Sequence, residues 1–293
     1  LILHYQFQTN SAENGATIVD SSGNNNNGRI VGTGAQISNG ILTLPGGSNT
    51  SGRAYVELPV GLFDNRNTLT INLWLKNETG SGNYCAMFFG TNNSPPTQYW
   101  LLNPAAPNGC FKSVFTNSVN TSQPWTTEVG PHDTVKTTSN WGMYTTVITP
   151  DSISGYYNGK LVGTGNLTRT VSDFGTDLVA FIGRSTYPDI LYKGGVSDVR
   201  VYTRALTQDE INDLFAEGSY LFKQAFEPEL ERVMLKDNVS KDQIISSLYF
   251  PEKLNNVDIT WSSSNTDIIA LDGKVTRPVD KDANVTVTVT YLG

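Results

Sequence analysis

GGVSDVRVYTRALTQDEI, residues 194–211, joins a strand to a helix and carries most of the information about the fold. Its first half is rich in β-branched valine, which favours an extended strand. Thr207 and Glu210 have the spacing of a capping box, in which each side chain hydrogen-bonds the other residue's backbone N–H at the start of a helix. The stretch therefore predicts a buried strand followed by a helix.

Asp198 places a carboxylate in the middle of this strand. A buried charge without a partner is costly. Three roles are open for it. It pairs with Arg200, Arg204 or Lys193, it binds a metal ion, or it acts in catalysis.

The residues before this stretch indicate strands and turns, with no helix between them. The chain has 27 glycines and 13 prolines, which suits a turn-rich all-β protein. Asn158-Gly159 lies between two alternating runs and predicts a hairpin with a type I′ turn. Many strands without intervening helices predict an antiparallel sandwich.

The residues after Phe222 have a different pattern. Residues 223–237 are charged and favour a helix, with Pro228 as a possible break. Two strand-like segments follow, and Trp261 is expected in their core. We therefore expect two domains, residues 1–222 and residues 223–293, the second being a small β-sandwich with a helical lead-in.

Three stretches resemble laminin-G-like, concanavalin-A-type jelly rolls, and together they cover roughly residues 1–218. They are VDSSGNNNNGRIVG (19–32), NWGMYTTVITPDSISGYYNGKLVGT (140–164) and the 194–211 stretch quoted above. The resemblance implies an all-β, antiparallel concanavalin-A-like jelly-roll sandwich for the first domain.

The second domain resembles a short bacterial immunoglobulin-like (Ig-like) module, through ITWSSSNTDIIALDGKVTRP (259–278) and VTVTVTY (285–291). The two domains together look like non-catalytic regions of bacterial extracellular glycoside hydrolases, most often of arabinofuranosidase type. FIGRSTYPDILYKGG (181–195) resembles them more loosely. The resemblance implies an extracellular, monomeric region beside a catalytic domain. Both ends of the sequence are strand-like, so we also expect an excised part of a longer, secreted chain.

Composition and motifs exclude several classes of function. The net charge of −7, without a basic run, argues against nucleic acid as a partner. No segment approaches the ~20 apolar residues of a membrane span. We find no carboxylate spacing of a glucanase, no triad partner for His4 or His132, and no zinc spacing. The alternating acids of residues 227–231 fit a solvated helix face. Because the chain carries no recognisable catalytic constellation, we expect it not to be an enzyme by itself.

Cys85 and Cys110 lie in two strand-like runs joined by a Pro-rich loop. Neighbouring antiparallel strands could bring them together as a disulfide in an exported protein. The alternative is two small buried hydrophobic residues. The sequence leaves both interpretations open.

Carbohydrate-binding modules stack sugar rings on exposed aromatic side chains and bind the hydroxyls with polar groups. The informative aromatic residues are those in loops, where core packing is not expected. Trp74 and Trp141 lie in strand-like segments and are expected in the core. The candidate sugar-binding residues come from the segments 97–103, 121–133 and 184–189, and they are Tyr99, Trp100, Trp125, Glu128, Arg184 and Tyr187.

A structural Ca²⁺ is the expected cofactor, because the DSSGNNNNG loop is rich in oxygen donors and Ca²⁺ takes 6–8 of them. The expected ligands are Asp20, Asn25 and Asp198, with Asn24 and Asn26 as further candidates. In the alternative, Asp20 organises an Asx-turn and Asp198 forms an ion pair. Asn27 and Ser197 depart from the family pattern, each where an acid is common, which weakens the expectation of a metal.

The leading hypothesis is a non-catalytic carbohydrate-binding region of an extracellular glycoside hydrolase. It would hold the enzyme on plant cell-wall polysaccharide, with arabinose-bearing side chains favoured and the Ig-like module as a spacer. The alternatives are structural or adhesive domains without a sugar site and, third, a glycosidase in its own right.

Overall fold

The computed structural model describes residues 1–9, 11–254, 257–277 and 283–291. The chain divides into two compact units, Leu1–Ser219 and Tyr220–Gly293, close to the boundary expected at residue 222. Over the described residues, the strands of the first unit are β1 (Leu3–Tyr5), β2 (Thr17–Ile18), β3 (Gly28–Val31), β4 (Gln36–Ser38), β5 (Ile41–Gly47), β6 (Tyr55–Glu57), β7 (Leu69–Asn77), β8 (Met87–Gly90), β9 (Tyr99–Asn103), β10 (Lys112–Thr116), β11 (Glu128–Val129), β12 (Trp141–Ile148), β13 (Ser152–Tyr157), β14 (Lys160–Asn166), β15 (Val179–Ile182) and β16 (Leu191–Tyr202).

These strands form two eight-stranded sheets. The first sheet has the order β14-β13-β12-β7-β16-β5-β4, and β1 also pairs with β16. The second sheet has the order β11-β10-β9-β8-β15-β6-β3-β2. The strand pairs are antiparallel, for example β12 with β7 and β8 with β9. The prediction of an antiparallel all-β sandwich is confirmed.

The main core lies between the two sheets, because alternate residues of each strand point to the same face. In the second sheet, Phe89 and Trp100 belong to this core and their rings stack at 5.5 Å. Phe88 and Tyr99, their immediate neighbours in sequence, belong to a separate buried cluster. The second sheet is therefore apolar on both of its faces.

Helix α1 (Gln208–Gly218) packs on the first sheet at Trp74 of β7. The Phe215 ring stacks on the Trp74 ring at 5.6 Å. A Cβ at Gly218 would collide with the Trp74 indole, so only glycine permits this approach. The predicted capping box is present, since Glu210 N donates to Thr207 Oγ1 at 3.3 Å.

Other local predictions are also confirmed. Trp74 and Trp141 are buried. Asn158 and Gly159 have φ values of 51° and 82°, as a type I′ turn between β13 and β14 requires.

The second unit begins with helix α2 (Tyr220–Leu235), which continues through Pro228 rather than breaking there. Strands β17 (Lys253–Leu254), β18 (Val257–Ser263) and β19 (Val287–Tyr291) form its three-stranded sheet. Trp261 was expected in the core of this unit; it is half-buried and packs against the small core, where its ring stacks on Phe250 at 4.6 Å. Among the residues described, no helix has the length and apolar character to cross a membrane.

Candidate functional site

The outward face of the second sheet carries a cluster of aromatic residues that we call the outer aromatic face. Its buried members are Cys85, Phe88, Tyr99, Leu101, Val114, Val179 and Phe181, and Tyr55 and Tyr187 pack against them half-buried. Each strand of this region alternates an apolar residue toward the core with another toward this face. Tyr55 and Tyr187 are the partly exposed side chains that pack against the buried residues of this face.

A chain of hydrogen bonds crosses one end of the outer aromatic face. The Tyr187 hydroxyl donates to the Tyr99 hydroxyl at 3.0 Å, and the Tyr99 hydroxyl donates to Glu128 Oε1 at 2.7 Å. The Lys112 ammonium lies 2.6 Å from Glu128 Oε2. Burial, and then the charge of Glu128, raise the pKa of Tyr99, so this phenol stays a donor. Three of the predicted site residues are thus brought together.

Asp189 follows Tyr187 by two residues and is half-buried. Burial raises the pKa of Asp189, and the charge of Lys112 opposes this shift. Burial raises the pKa of the Cys85 thiol to about 12. The charge of Asp189 further raises the pKa of Cys85 and that of Tyr187. Asp189 therefore interacts electrostatically with Lys112 and with Tyr187.

Arg184 lies at another part of the face. Its guanidinium carbon is 4.7 Å from the centre of the Tyr55 ring, within cation–π range. The Tyr55 hydroxyl donates a long hydrogen bond to Oε1 of Glu57 at 3.4 Å. The other carboxylate oxygen of Glu57 forms an ion pair with Arg29 at 2.6 Å. Arg184 and Tyr187 are therefore both on the outer aromatic face but have different partners.

Trp125 lies in a short 3-10 helix, Pro124–Thr127, and Glu128 follows directly. Its side chain is 49% exposed, which is unusual for a tryptophan. The loop before it is ordered by Asn120, whose Oδ1 accepts from the backbone N–H groups of Ser122 and Gln123. The prediction of an exposed loop aromatic at Trp125 agrees with this geometry.

The expectation that Tyr99 and Trp100 lie in a loop is wrong. Both belong to β9 and are fully buried. Tyr99 still reaches the outer aromatic face, but Trp100 points into the main core, where its Nε1 donates to Ser113 Oγ at 3.0 Å. The run TQYWLLN carries turn-forming polar residues only at its ends, and its centre has the apolar character of a strand.

Lys112 belongs to the site but was not predicted from the sequence, and Asp189, also not predicted, acts electrostatically on Lys112 and Tyr187. In FKSVFT, a period of two places Lys112 with Val114 on one face of the strand, and this signal was readable. Asp189 follows Tyr187 in a loop already considered for binding. What was missing was the pairing of β9, β10 and β11, which brings Lys112 and Glu128 together.

The Asp20 carboxylate organises its own loop. Its Oδ1 accepts from the backbone N–H groups of His4 and Ser22, and its Oδ2 accepts from Ser22 Oγ and the backbone N–H of Asn26, all at 2.8–2.9 Å. These bonds outweigh the effect of burial and hold the pKa of Asp20 below its usual value. Asn27 Oδ1 accepts from the Asp20 backbone N–H at 2.8 Å.

The amides of the same loop tie down the start of the chain. Asn24 Nδ2 donates to the Leu1 carbonyl, and Asn26 Nδ2 donates to the Ile2 carbonyl. Asn25 is exposed and has a φ of 59°. The loop therefore has the Asx-turn character of the alternative interpretation.

Asp198 lies at a bulge where the partner of β16 changes from β5 to β1. Its Oδ1 is 2.7 Å from His4 Nε2 and 2.8 Å from Arg200 Nε, so Arg200 is its partner among the three candidates. Arg200 also forms an ion pair with Glu217 of α1, in which Nη2 of Arg200 lies 2.7 Å from Oε1 of Glu217. Ser197 donates to the Gly40 carbonyl at 2.8 Å beside it.

This arrangement does not fit a calcium site. The oxygens of Asp20 face N–H and O–H donors, and Asp198 faces a guanidinium and an imidazole, whereas Ca²⁺ needs converging oxygen ligands. Within the described ranges, no group of three or more His, Cys, Asp or Glu residues could hold a metal. The structural Ca²⁺ stays an untested prediction, and the geometry favours the ion-pair alternative.

On that alternative, chelation is expected to leave stability unchanged. A thermal melt of the chain should give the same midpoint with and without EDTA, because protein donors already satisfy Asp20 and Asp198. The companion measurement is elemental analysis of dialysed protein. A lower midpoint in EDTA, together with stoichiometric calcium, would establish the metal instead.

Cys85 and Cys110 are both free and buried. Cys85 contributes to the outer aromatic face, and Cys110 pairs with Lys136 through an isolated backbone bridge. The geometry favours the interpretation of two small buried residues over a disulfide.

Comparison with known proteins agrees with this architecture. The family model of the concanavalin A-like lectin/glucanases superfamily matches residues 50–212, and that of the atrophied bacterial Ig domain matches residues 228–291. No curated protein matches the chain. These matches confirm the predicted order of a concanavalin-A-type jelly roll and an Ig-like module.

Two of the solved structures that are similar in fold illustrate the match. One is domain 4 of AbnA, a GH43 extracellular arabinanase from Geobacillus stearothermophilus, in complex with arabinotriose. It is 22% identical, with a TM-score of 0.54 over 73% of this chain and 97% of that chain. The other is the binding domain of botulinum neurotoxin DC in complex with rat synaptotagmin II. It is 17% identical, with a TM-score of 0.50 over 90% of this chain and 66% of that chain.

Proposed function

Because the chain belongs to the concanavalin A-like lectin/glucanases superfamily, we propose that it binds carbohydrate on the outer aromatic face of its second sheet. The observation that carries the proposal is the chain of hydrogen bonds from Tyr187 through Tyr99 to Glu128 and Lys112. This chain of hydrogen bonds holds the half-buried ring of Tyr187 beside the fixed polar groups of Tyr99, Glu128 and Lys112. Binding sites for small molecules combine an apolar surface with a few oriented polar groups in this way.

The side chains divide into two roles under this proposal. Tyr187 and Trp125 are partly exposed aromatic residues, and they offer apolar ring surface to the C–H groups of a sugar. Tyr99, Glu128 and Lys112 bind one another and hold the site in shape. Arg184 lines the part of the face near Tyr55.

The finer proposal is a non-catalytic, extracellular binding region of a glycoside hydrolase, with arabinose-containing glycan as its ligand. The similar fold of an arabinanase domain solved with arabinotriose supports this choice of ligand. The Ig-like module would serve as a spacer to a neighbouring catalytic domain, and the chain would act as a monomer. Release of sugar from polysaccharide by this chain alone would refute the non-catalytic part.

One observation favours the second candidate, a structural pair of domains without a sugar site. Both carboxylate oxygens of Glu128 are occupied by Tyr99 and Lys112. A network satisfied within the protein can exist for stability alone. Binding measurements separate the two functions.

Binding is tested by affinity electrophoresis and calorimetry against arabinan, arabinoxylan, xylan and fructan. We expect arabinan to bind most tightly, and Tyr187→Ala and Trp125→Ala each to weaken binding by about tenfold, which corresponds to about 1.4 kcal/mol. Each variant removes an aromatic surface that is already partly exposed, so the fold should persist.

Tyr249→Ala is the matched control, because Tyr249 is 48% exposed but lies in the second unit. It should bind like the wild type. If no glycan binds, or if both variants on the jelly roll bind normally, the sugar site is refuted and the structural function is favoured.

A further inference from the structure

The part of the outer aromatic face around Tyr55 carries one positive charge in excess. Arg184 lies 4.7 Å from the centre of the Tyr55 ring, and the Tyr55 hydroxyl donates to Glu57 at 3.4 Å. The Glu57 carboxylate already forms an ion pair with Arg29 at 2.6 Å. Within the described residues no carboxylate, including that of Asp189 in the same loop, lies within ion-pair distance of Arg184. Two guanidinium groups therefore share one carboxylate here.

The guanidinium of Arg184 is held in a corner between two aromatic rings. Its carbon lies 4.7 Å from the centre of the Tyr55 ring and 5.9 Å from that of Phe181, and these two rings meet edge-on at 81°. Its Nε donates to the Ser185 carbonyl at 3.3 Å. A guanidinium has five N–H donors, so even with a second one used by the Tyr55 hydroxyl, three remain for a ligand. The half-buried fork is thus oriented before any ligand binds.

Ser185 fixes Arg184 and Tyr187 relative to each other. Ser185 is buried, its carbonyl oxygen accepts from Arg184 Nε, and its Oγ accepts from the backbone N–H of Tyr187 at 3.2 Å. The Tyr187 hydroxyl donates to Tyr99 at 3.0 Å, and the two rings meet edge-on at 5.5 Å between centres. The loop between β15 and β16 therefore presents an oriented, partly exposed ring together with an oriented guanidinium.

We infer that Arg184 is the specificity-determining residue of this site, and that it binds the carboxylate of a uronic acid in a glycan that also contacts Tyr187. This inference rests on the proposed carbohydrate binding and adds an acidic sugar to the proposed ligand. The planar fork of a guanidinium matches a carboxylate with two parallel, charge-assisted hydrogen bonds. Because the fork is already oriented, little conformational entropy is lost when the carboxylate binds.

The competing interpretation is that Arg184 only packs on Tyr55 and Phe181. A cation–π contact stabilises a loop without any ligand. The two interpretations differ in what a carboxylate on the ligand adds to binding. If Arg184 only packs, an acidic sugar and its neutral derivative bind equally.

The experiment is calorimetry of the full chain with trigalacturonic acid and with its methyl ester, which have the same length and the same ring hydroxyls but differ in charge. We expect the acid to bind at least tenfold more tightly than the ester. High salt should weaken binding of the acid and leave binding of the ester unchanged, because salt screens charges.

Arg184→Gln replaces the guanidinium with a neutral amide. It should lower the affinity for the acid to that for the ester, a loss of tenfold or more, and leave the affinity for the ester unchanged. Unchanged binding of the ester also shows that the variant is folded.

Arg66→Gln is the matched control. Arg66 is also half-buried, donates through Nε to a backbone carbonyl, that of Leu62, and has no carboxylate partner among the described residues. It makes no cation–π contact in that part of the chain, in contrast to Arg184. Its replacement removes the same charge from the chain and should leave the affinity for the acid unchanged.

Three results would overturn the inference while carbohydrate binding stands. They are equal affinity of the wild type for acid and ester, equal loss of acid binding in the two variants, and binding of arabinan without binding of either trisaccharide. If the wild type binds neither trisaccharide nor any polysaccharide of the panel above, the proposed function fails and the inference fails with it.

Discussion

Trp100→Ala is expected to lower the free energy of unfolding by about 3–5 kcal/mol, the range for deletion of a large buried aromatic side chain. Trp100 is fully buried and stacks on Phe89 at 5.5 Å. Its Nε1 donates to Ser113 Oγ, which lies 2.7 Å from Thr146 Oγ1 of the first sheet. The substitution therefore opens a cavity and removes a polar contact where the two sheets meet.

The measurement is chemical denaturation of Trp100→Ala beside Trp125→Ala. The second variant removes the same type of side chain from an exposed position, and its stability should stay within about 0.5 kcal/mol of the wild type. Equal stabilities of the two variants would contradict the placement of Trp100 in the core. Any loss of glycan binding in Trp100→Ala would follow from unfolding, so Trp125 and Tyr187 are the informative positions for binding.

Asp198→Ala is expected to destabilise the chain by about 3–4 kcal/mol, from two sources. Removing one partner of a buried ion pair costs about 3–5 kcal/mol, which we reduce to about 2–3 kcal/mol because the Asp198 side chain is 20% exposed. Asp198 also has a φ of 48°. Alanine in this left-handed region adds about 1 kcal/mol of backbone strain, whereas Asn tolerates it.

Asp198→Asn separates the two sources in the same denaturation experiment. It keeps the backbone conformation and loses only the charge, so its destabilisation should be smaller than that of Asp198→Ala. Asp258→Ala is the control, because it removes the exposed pair with Lys253 and should change stability little. If Asp198→Ala is as stable as the wild type, the contacts of Asp198 with His4 and Arg200 do not stabilise the packing of the start of the chain on β16.

The contribution of Asp198 also depends on pH. Burial would raise the pKa of its carboxyl group, but hydrogen bonds from His4 and Arg200 outweigh this and hold the pKa below its usual value. A carboxyl group with a depressed folded-state pKa stabilises the protein above its unfolded-state pKa of about 4. The stability difference between the wild type and Asp198→Asn should therefore narrow as the pH falls below about 4. A difference that stays constant down to pH 3 would contradict this role.

Local structure was largely predictable from the sequence, because it depends on residues close together in the chain. The Asn158-Gly159 turn needs two adjacent residues with positive φ, and the capping box needs Thr207 and Glu210 three positions apart. The alternation of apolar residues likewise predicted the antiparallel strands. The division into a jelly roll and an Ig-like module followed from composition and from resemblance.

The candidate site could be predicted only in part. Trp125 and Tyr187 were selected as loop aromatics, and the structure leaves both partly exposed. Trp100 was misplaced because YWLLN is apolar at every position but its last. Period-two alternation separates the two faces of a strand only when one face is polar.

By itself, the sequence determined many of the strands, the hairpin, the helix start and the class of fold. Only the tertiary structure decided which neighbour of the pair Tyr99 and Trp100 faces the core, and that Lys112 meets Glu128 on the outer aromatic face. The physical reason is distance along the chain. Asp198 and His4 are 194 residues apart, and Tyr99 and Tyr187 are 88 apart, so strand pairing across the whole fold sets their contacts.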